Sequence, residues 1–91
     1  MIKNFRHRGL KRLFDRDDPS KLDQKLVGRI RRRLSALHAA TVVEQLDIPG
    51  FNFHVLRGKP RRYTIHVNGP VCITFEFENG HAWRVDLENY H

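Results

Sequence analysis

The sequence predicts an α+β domain in which a short N-terminal strand and two helices pack on an antiparallel sheet. Two patterns carry that expectation. Residues 51–91 alternate apolar and polar side chains with period two, broken only at turn residues. Residues 9–14 and 21–39 instead repeat their apolar residues at helical spacing. A sheet with one apolar face and helices with apolar stripes bury those surfaces by packing on each other in two layers.

The elements follow in order. Met1–Arg6 reads as a short strand anchored by Ile2 and Phe5, and Gly9–Phe14 as a short helix with Leu10, Leu13 and Phe14 on one face. Asp15–Ser20 is a polar break, because Pro19 disfavours helical geometry at Asp18. Ser20 is the expected N-cap of the main helix, residues 21–39, with Asp23 at its third position. Leu22, Leu26, Ile30, Leu34 and Leu37 form its apolar stripe. Lys21, Lys25, Arg29 and Arg32 form a basic stripe beside it, and Arg33, nearer the apolar arc, is expected to snorkel. Thr41 is the expected cap of a last turn, Val42–Leu46, and Ile48-Pro49-Gly50 leads into the sheet.

In the sheet, Phe51, Phe53 and Val55, then Tyr63, Ile65 and Val67, then Val71, Ile73, Phe75 and Phe77, then Trp83, Val85 and Leu87 are assigned to the apolar face. Gly58-Lys59-Pro60, Asn68-Gly69-Pro70 and Asn79-Gly80 separate the runs, and Asn-Gly is the strongest of these signals because both residues tolerate positive φ. The other face then carries Asn52, His54, Thr64, His66, Cys72, Thr74, Glu76, Arg84 and Asp86. For most small sheets such a face is simply solvated. Here its histidines and Arg84 lie beside the loop cations Arg57, Lys59, Arg61 and Arg62, a composition suited to a polyanion.

Composition narrows the function. Ninety-one residues predict one domain, 1–91, with a small core. The net charge of +7 points to a polyanionic partner, most simply nucleic acid. A single cysteine, Cys72, excludes an internal disulfide framework and a cysteine-based metal site. The six histidines show neither i, i+4 pairing nor a carboxylate cluster, so no metal and no cofactor is expected. No apolar run approaches membrane-spanning length and no secretory signal opens the chain, which predicts a reducing, cytoplasmic compartment. His7, His38 and His81 read as ordinary surface residues, and His66 as structural.

Five segments together resemble a known family: the opening MIKNFRHRGLKRLF, the middle ALHAATVVEQL, HVLRG, YTIHVN, and the closing ITFEFENGHAWRVDLENYH. In order and spacing they resemble the HigB branch of the RelE/ParE superfamily of bacterial toxin–antitoxin toxins. The resemblance implies a RelE-like, microbial RNase-type fold with helices on one side of a curved sheet and the active site on the other. It implies endonucleolytic cleavage of messenger RNA bound to the ribosome, inhibiting translation, and neutralisation by a cognate HigA-like helix-turn-helix antitoxin, through which oligomers would form. His54 matches the family's catalytic histidine, Arg57 its Lys/Arg position, and Tyr90 and His91 its terminal Tyr-His.

Cleavage of RNA through the 2′-hydroxyl needs a base, an acid and cations that stabilise the phosphorane charge. His54 and His91 are the expected proton-transfer pair, with base and acid unassigned; Arg57 would stabilise charge, and Tyr90 would hold the phosphate or stack on a base. Lys59, Arg61, Arg62 and Arg84, together with Lys21, Lys25, Arg29 and Arg32, are the candidate RNA- and ribosome-binding cations. Two departures stand out. Val71-Cys72 occupies the place where most relatives carry Trp-Arg, and Asn89 the place of a common Asp. Losing one transition-state donor costs on the order of 10²–10³ in rate, which predicts a weakened nuclease unless Arg57, Arg61, Arg62 or Arg84 supplies the charge. Two alternatives stay open: a ParE-like poison of DNA gyrase, and a non-catalytic RNA- or ribosome-binding module.

Overall fold

Two helices lie on one face of a four-stranded antiparallel sheet in a computed structural model, which describes residues 1–89. Helix α1 spans Arg8–Arg16 and α2 Val27–Ala39; a 3₁₀ turn at Val43–Leu46 precedes the strands β1 (His54–Leu56), β2 (Arg62–Asn68), β3 (Val71–Glu78) and β4 (His81–Asn89). The strands run in the order β1-β2-β3-β4. Leu10 and Leu13 of α1 and Ile30, Leu34 and Leu37 of α2 join Ile65, Ile73, Phe75, Ala82 and Val85 of the sheet in one buried cluster. This is the expected α+β packing, and it leaves the other face of the sheet free of helices.

The Asn79-Gly80 turn works as the sequence predicts, whereas at Asn68-Gly69 only the glycine takes positive φ and Asn68 ends β2. Asn79 and Gly80 both take positive φ, 53° and 78°, closing a two-residue hairpin between β3 and β4. Several boundaries differ. The N-terminal segment forms no continuous strand; it is pinned beside β4 at two isolated parallel bridges, Ile2 to Ala82 and Phe5 to Val85. Between them, β4 bulges at Arg84 (φ 50°), whose backbone N–H donates to Asn4 Oδ1 at 2.5 Å. That bulge also corrects the alternation. Ala82 and Val85 both face the core with no exposed surface, and Trp83 pairs with Glu76 on the open face instead of joining Val85.

The main helix begins at Val27, not Lys21. Asp18 Oδ1 accepts from Ser20 N–H and Asp23 Oδ1 from Lys25 N–H, each at 3.0 Å, and these local bonds compete with helical geometry. Ser20 therefore caps no helix. Leu22 and Leu26 still reach the core, but from turns. Nor does the Thr41 side chain cap the last turn: Gln45 Oε1 accepts from the backbone N–H of Thr41 at 2.8 Å. Strand β1 starts three residues later than the alternation suggests, because Asn52 adopts φ 46°.

Arg33 does not snorkel. It is 8% exposed, donates from Nε to His66 O (2.6 Å), from Nη1 to Arg29 O (3.2 Å) and from Nη2 to Gly50 O (3.2 Å), and lies 4.8 Å from the centre of the Phe51 ring. Burial, and then the adjacent Arg32 and Arg29, pull its pKa below the ordinary arginine value. Of the three histidines expected at the surface, His7 and His38 are structural. His7 Nδ1 caps α1 by accepting from Leu10 N–H (3.2 Å). His38 Nδ1 accepts from Ile2 N–H (3.1 Å) while its ring packs on Phe14. His81 is half-buried, and its Nδ1 has no partner among the described residues.

Candidate active site

The open face is built from cross-strand rows. His54, Thr64, Thr74 and Asp86 stand side by side across all four strands. His66, Cys72 and Glu88 form the next row across β2, β3 and β4. Antiparallel pairing puts directly opposed side chains within about 5 Å of one another at Cβ, so each row is a contiguous strip of polar groups. His54 is exposed, on the edge strand. Thr64 is nearly buried, and its hydroxyl has no partner among the described residues.

Beside these rows lies an open depression of about 790 Å³. Arg57, Lys59, Arg62 and Arg84, all expected from the sequence, line it together with Arg6. Glu76 is the carboxylate among its lining residues. Its polar character comes from chain segments far apart: the β1–β2 loop, β2, β4 and the N-terminal segment. Arg6 was not legible as a site residue. Nothing in the sequence pattern reveals that its segment is pinned beside β4, where Arg6 N–H donates to Val85 O at 2.8 Å.

Two of these cations are tied to carboxylates. Arg84 Nη1 donates to Glu76 Oε1 at 3.1 Å. Arg62 Nη2 donates both to Thr74 Oγ1, at 2.9 Å, and to Glu88 Oε2, and the Thr74 hydroxyl donates to the same Glu88 oxygen. Arg6, Arg57, Lys59 and Arg61 make no ion pair among the described residues. Arg61 is exposed in the same loop but does not line the depression.

The remaining sequence candidates fall elsewhere. Arg29 and Arg32 are exposed on α2, in the helical layer, and Lys21 and Lys25 sit in the turns before it. They form no continuous helical stripe and do not share the open face. Tyr90 and His91 lie outside the described residues. His66 Nε2 lies 3.0 Å from Gly69 O, consistent with a structural role in the β2–β3 turn. Cys72 is half-buried between His66 and Glu88. Among the described residues no three His, Cys, Asp or Glu side chains gather as metal ligands. No helix among them is long and apolar enough to cross a membrane.

The chain is a two-layer α+β domain, with helices behind an antiparallel sheet and a cationic depression in front of it. Residues 3–91 match the family described as RelE-like toxin of type II toxin-antitoxin system HigB, and the chain belongs to that family. It is also 39% identical, over 92 aligned residues covering the whole of both chains, to Endoribonuclease HigB from Proteus vulgaris. The chain is thus a toxin of a type II toxin–antitoxin system, with an antitoxin as its partner.

Proposed function

We propose that this toxin is an endoribonuclease that cuts messenger RNA on the ribosome, using general acid–base chemistry on the open face of its sheet. The observation that carries this reading is the placement of His54 in a polar cross-strand row beside a depression lined by Arg6, Arg57, Lys59, Arg62 and Arg84. Membership in the toxin family and full-length similarity to a relative named as an endoribonuclease support the activity.

In this mechanism RNA lies across the open face with its phosphates toward the depression. A base takes the proton of the 2′-hydroxyl, the oxygen attacks the adjacent phosphorus, and an acid protonates the departing 5′-oxygen. His54 and His91 serve as that pair. Arg57 stabilises the charge that accumulates on the phosphorane, and Tyr90 orients the phosphate or a flanking base. Lys59, Arg61 and Arg84 bind the RNA backbone, while Lys21, Lys25, Arg29 and Arg32, in the helical layer, meet ribosomal RNA. A HigA-like helix-turn-helix antitoxin neutralises the toxin in the cytoplasm, where translation occurs.

The test is cleavage on purified translating ribosomes, with new 5′ ends mapped and naked mRNA as control. Discrete cuts on ribosomes only are expected. His54→Ala should lower the rate by about 10²–10⁴ while keeping antitoxin binding. Absence of cuts by the unaltered chain, or full activity in His54→Ala, would overturn the reading.

A further inference from the structure

The two guanidinium–carboxylate pairs on the open face are built differently. In the Arg84–Glu76 pair, the arginine side chain is 57% exposed and makes one contact at 3.1 Å. In the Arg62–Glu88 pair both side chains are about two-thirds covered, with exposures of 32% and 30%. A third group locks them: Thr74, fully buried, accepts from Arg62 and donates to Glu88. An exposed arginine samples many rotamers, whereas this one is held at its tip.

The geometry leaves the rest of the fork unused. A guanidinium has five N–H donors. Both bonds of Arg62 come from Nη2, and Nε and Nη1 donate to nothing among the described residues. The three N–H donors that remain, one on Nε and two on Nη1, can each donate to a phosphate oxygen from a cation that is already oriented. Location matters as much. Arg62 leaves the wall of the depression and reaches Thr74, a member of the row that contains His54. Among the described residues, it is the one cation bonded into that row.

We infer that Arg62 binds the reacting phosphate at the centre of the open face, and that Glu88 and Thr74 are positioning residues that hold its fork in place. This rests on the RNA-cleaving reading above. The Arg57 guanidinium, exposed on its loop and without an ion pair among the described residues, must be ordered by the substrate; that of Arg62 is ordered beforehand. Preorganised donors act on the transition state more than on ground-state binding, so the inference predicts loss in kcat with little change in KM.

The experiment measures single-site cleavage of mRNA on translating ribosomes by the full chain, Arg62→Lys, Glu88→Gln and the double variant, with antitoxin binding as the check on folding. Arg62→Lys keeps the charge but removes the fork, and should lower kcat on the order of 10²-fold with KM within about threefold. Glu88→Gln leaves Arg62 present but loosely held and should lower kcat about tenfold. The double variant should be no slower than Arg62→Lys alone, because Glu88 acts through Arg62. Unchanged kcat in Arg62→Lys overturns the inference. So does unchanged kcat in Glu88→Gln, or a double variant whose losses multiply. If the unaltered chain cuts and Arg62→Lys cuts equally well, only this inference falls; if the unaltered chain does not cut, the RNA-cleaving reading falls with it.

Discussion

Phe75 and Thr74 are adjacent in β3, point to opposite faces of one sheet, and are equally inaccessible at 0% exposure. They are buried by opposite means. Phe75 sits under the helices in an apolar cluster, with the Tyr63 ring stacked 5.7 Å away. Thr74 is covered on the helix-free face, bonded to a guanidinium and a carboxylate. Burial alone therefore does not distinguish scaffold from site in this fold. What distinguishes them is whether the covering groups are hydrocarbon, whose burial drives folding, or charges, whose desolvation leaves little net stability.

The most destabilising substitution therefore lies on the covered face. Phe75→Ala removes a fully buried ring from the centre of the sheet and should cost about 3–5 kcal/mol, read by urea denaturation. A loss below about 1 kcal/mol would mean that the core re-closes around the gap and that the two faces are less different than their packing indicates.

Arg33 sharpens the comparison, because it is a charged residue working on the structural side. Its guanidinium satisfies the carbonyls of His66, Arg29 and Gly50, tying α2 to β2 and to the loop before β1. Arg33→Met keeps the length and removes the donors, and should cost roughly 2–3 kcal/mol. Arg62→Met, on the open face, should cost roughly 0–1 kcal/mol. Equal losses in the two variants would break the distinction between a buried clamp and a half-exposed ion pair.

These contrasts also explain what was legible from the amino acids. The β2–β4 meander was, because period-two alternation and the Asn79-Gly80 turn agree. Trp83 was misassigned because alternation presumes an unbroken ladder, and the bulge at Arg84 puts the residues before it out of phase with those after it. The start of α2 was misplaced because Leu22 and Leu26 fit the helical stripe, yet Asp18 and Asp23 hold the chain in turns. Arg33 was misread because helical spacing places a side chain on a face without naming its carbonyl partners. The cations at positions 57, 59 and 62 of the site were easy to group, being close in sequence. Arg6, and the role of Glu88, depend on contacts between distant segments that no local pattern encodes.

The smallest effect tests a titratable group on the scaffold. His81 opens β4 opposite Glu78, half-buried, with its Nδ1 unpartnered among the described residues. Burial first, then Lys3 and the N-terminal ammonium, push its pKa below the ordinary 6.5. Above pH 6.5 the ring is neutral in both folded and unfolded chains and contributes no pH dependence. As pH falls through that value the unfolded chain takes up the proton first, so the folded state loses stability until its own, lower pKa is passed. Unfolding free energy should therefore decline as the pH falls below 6.5, and the decline should be shallower in His81→Asn. Lys3→Gln, which removes one of the repelling charges, should make it shallower as well. Parallel pH curves for the unaltered chain and His81→Asn would show that the acid sensitivity of this scaffold comes from other groups, and that the half-buried ring costs the fold nothing on protonation.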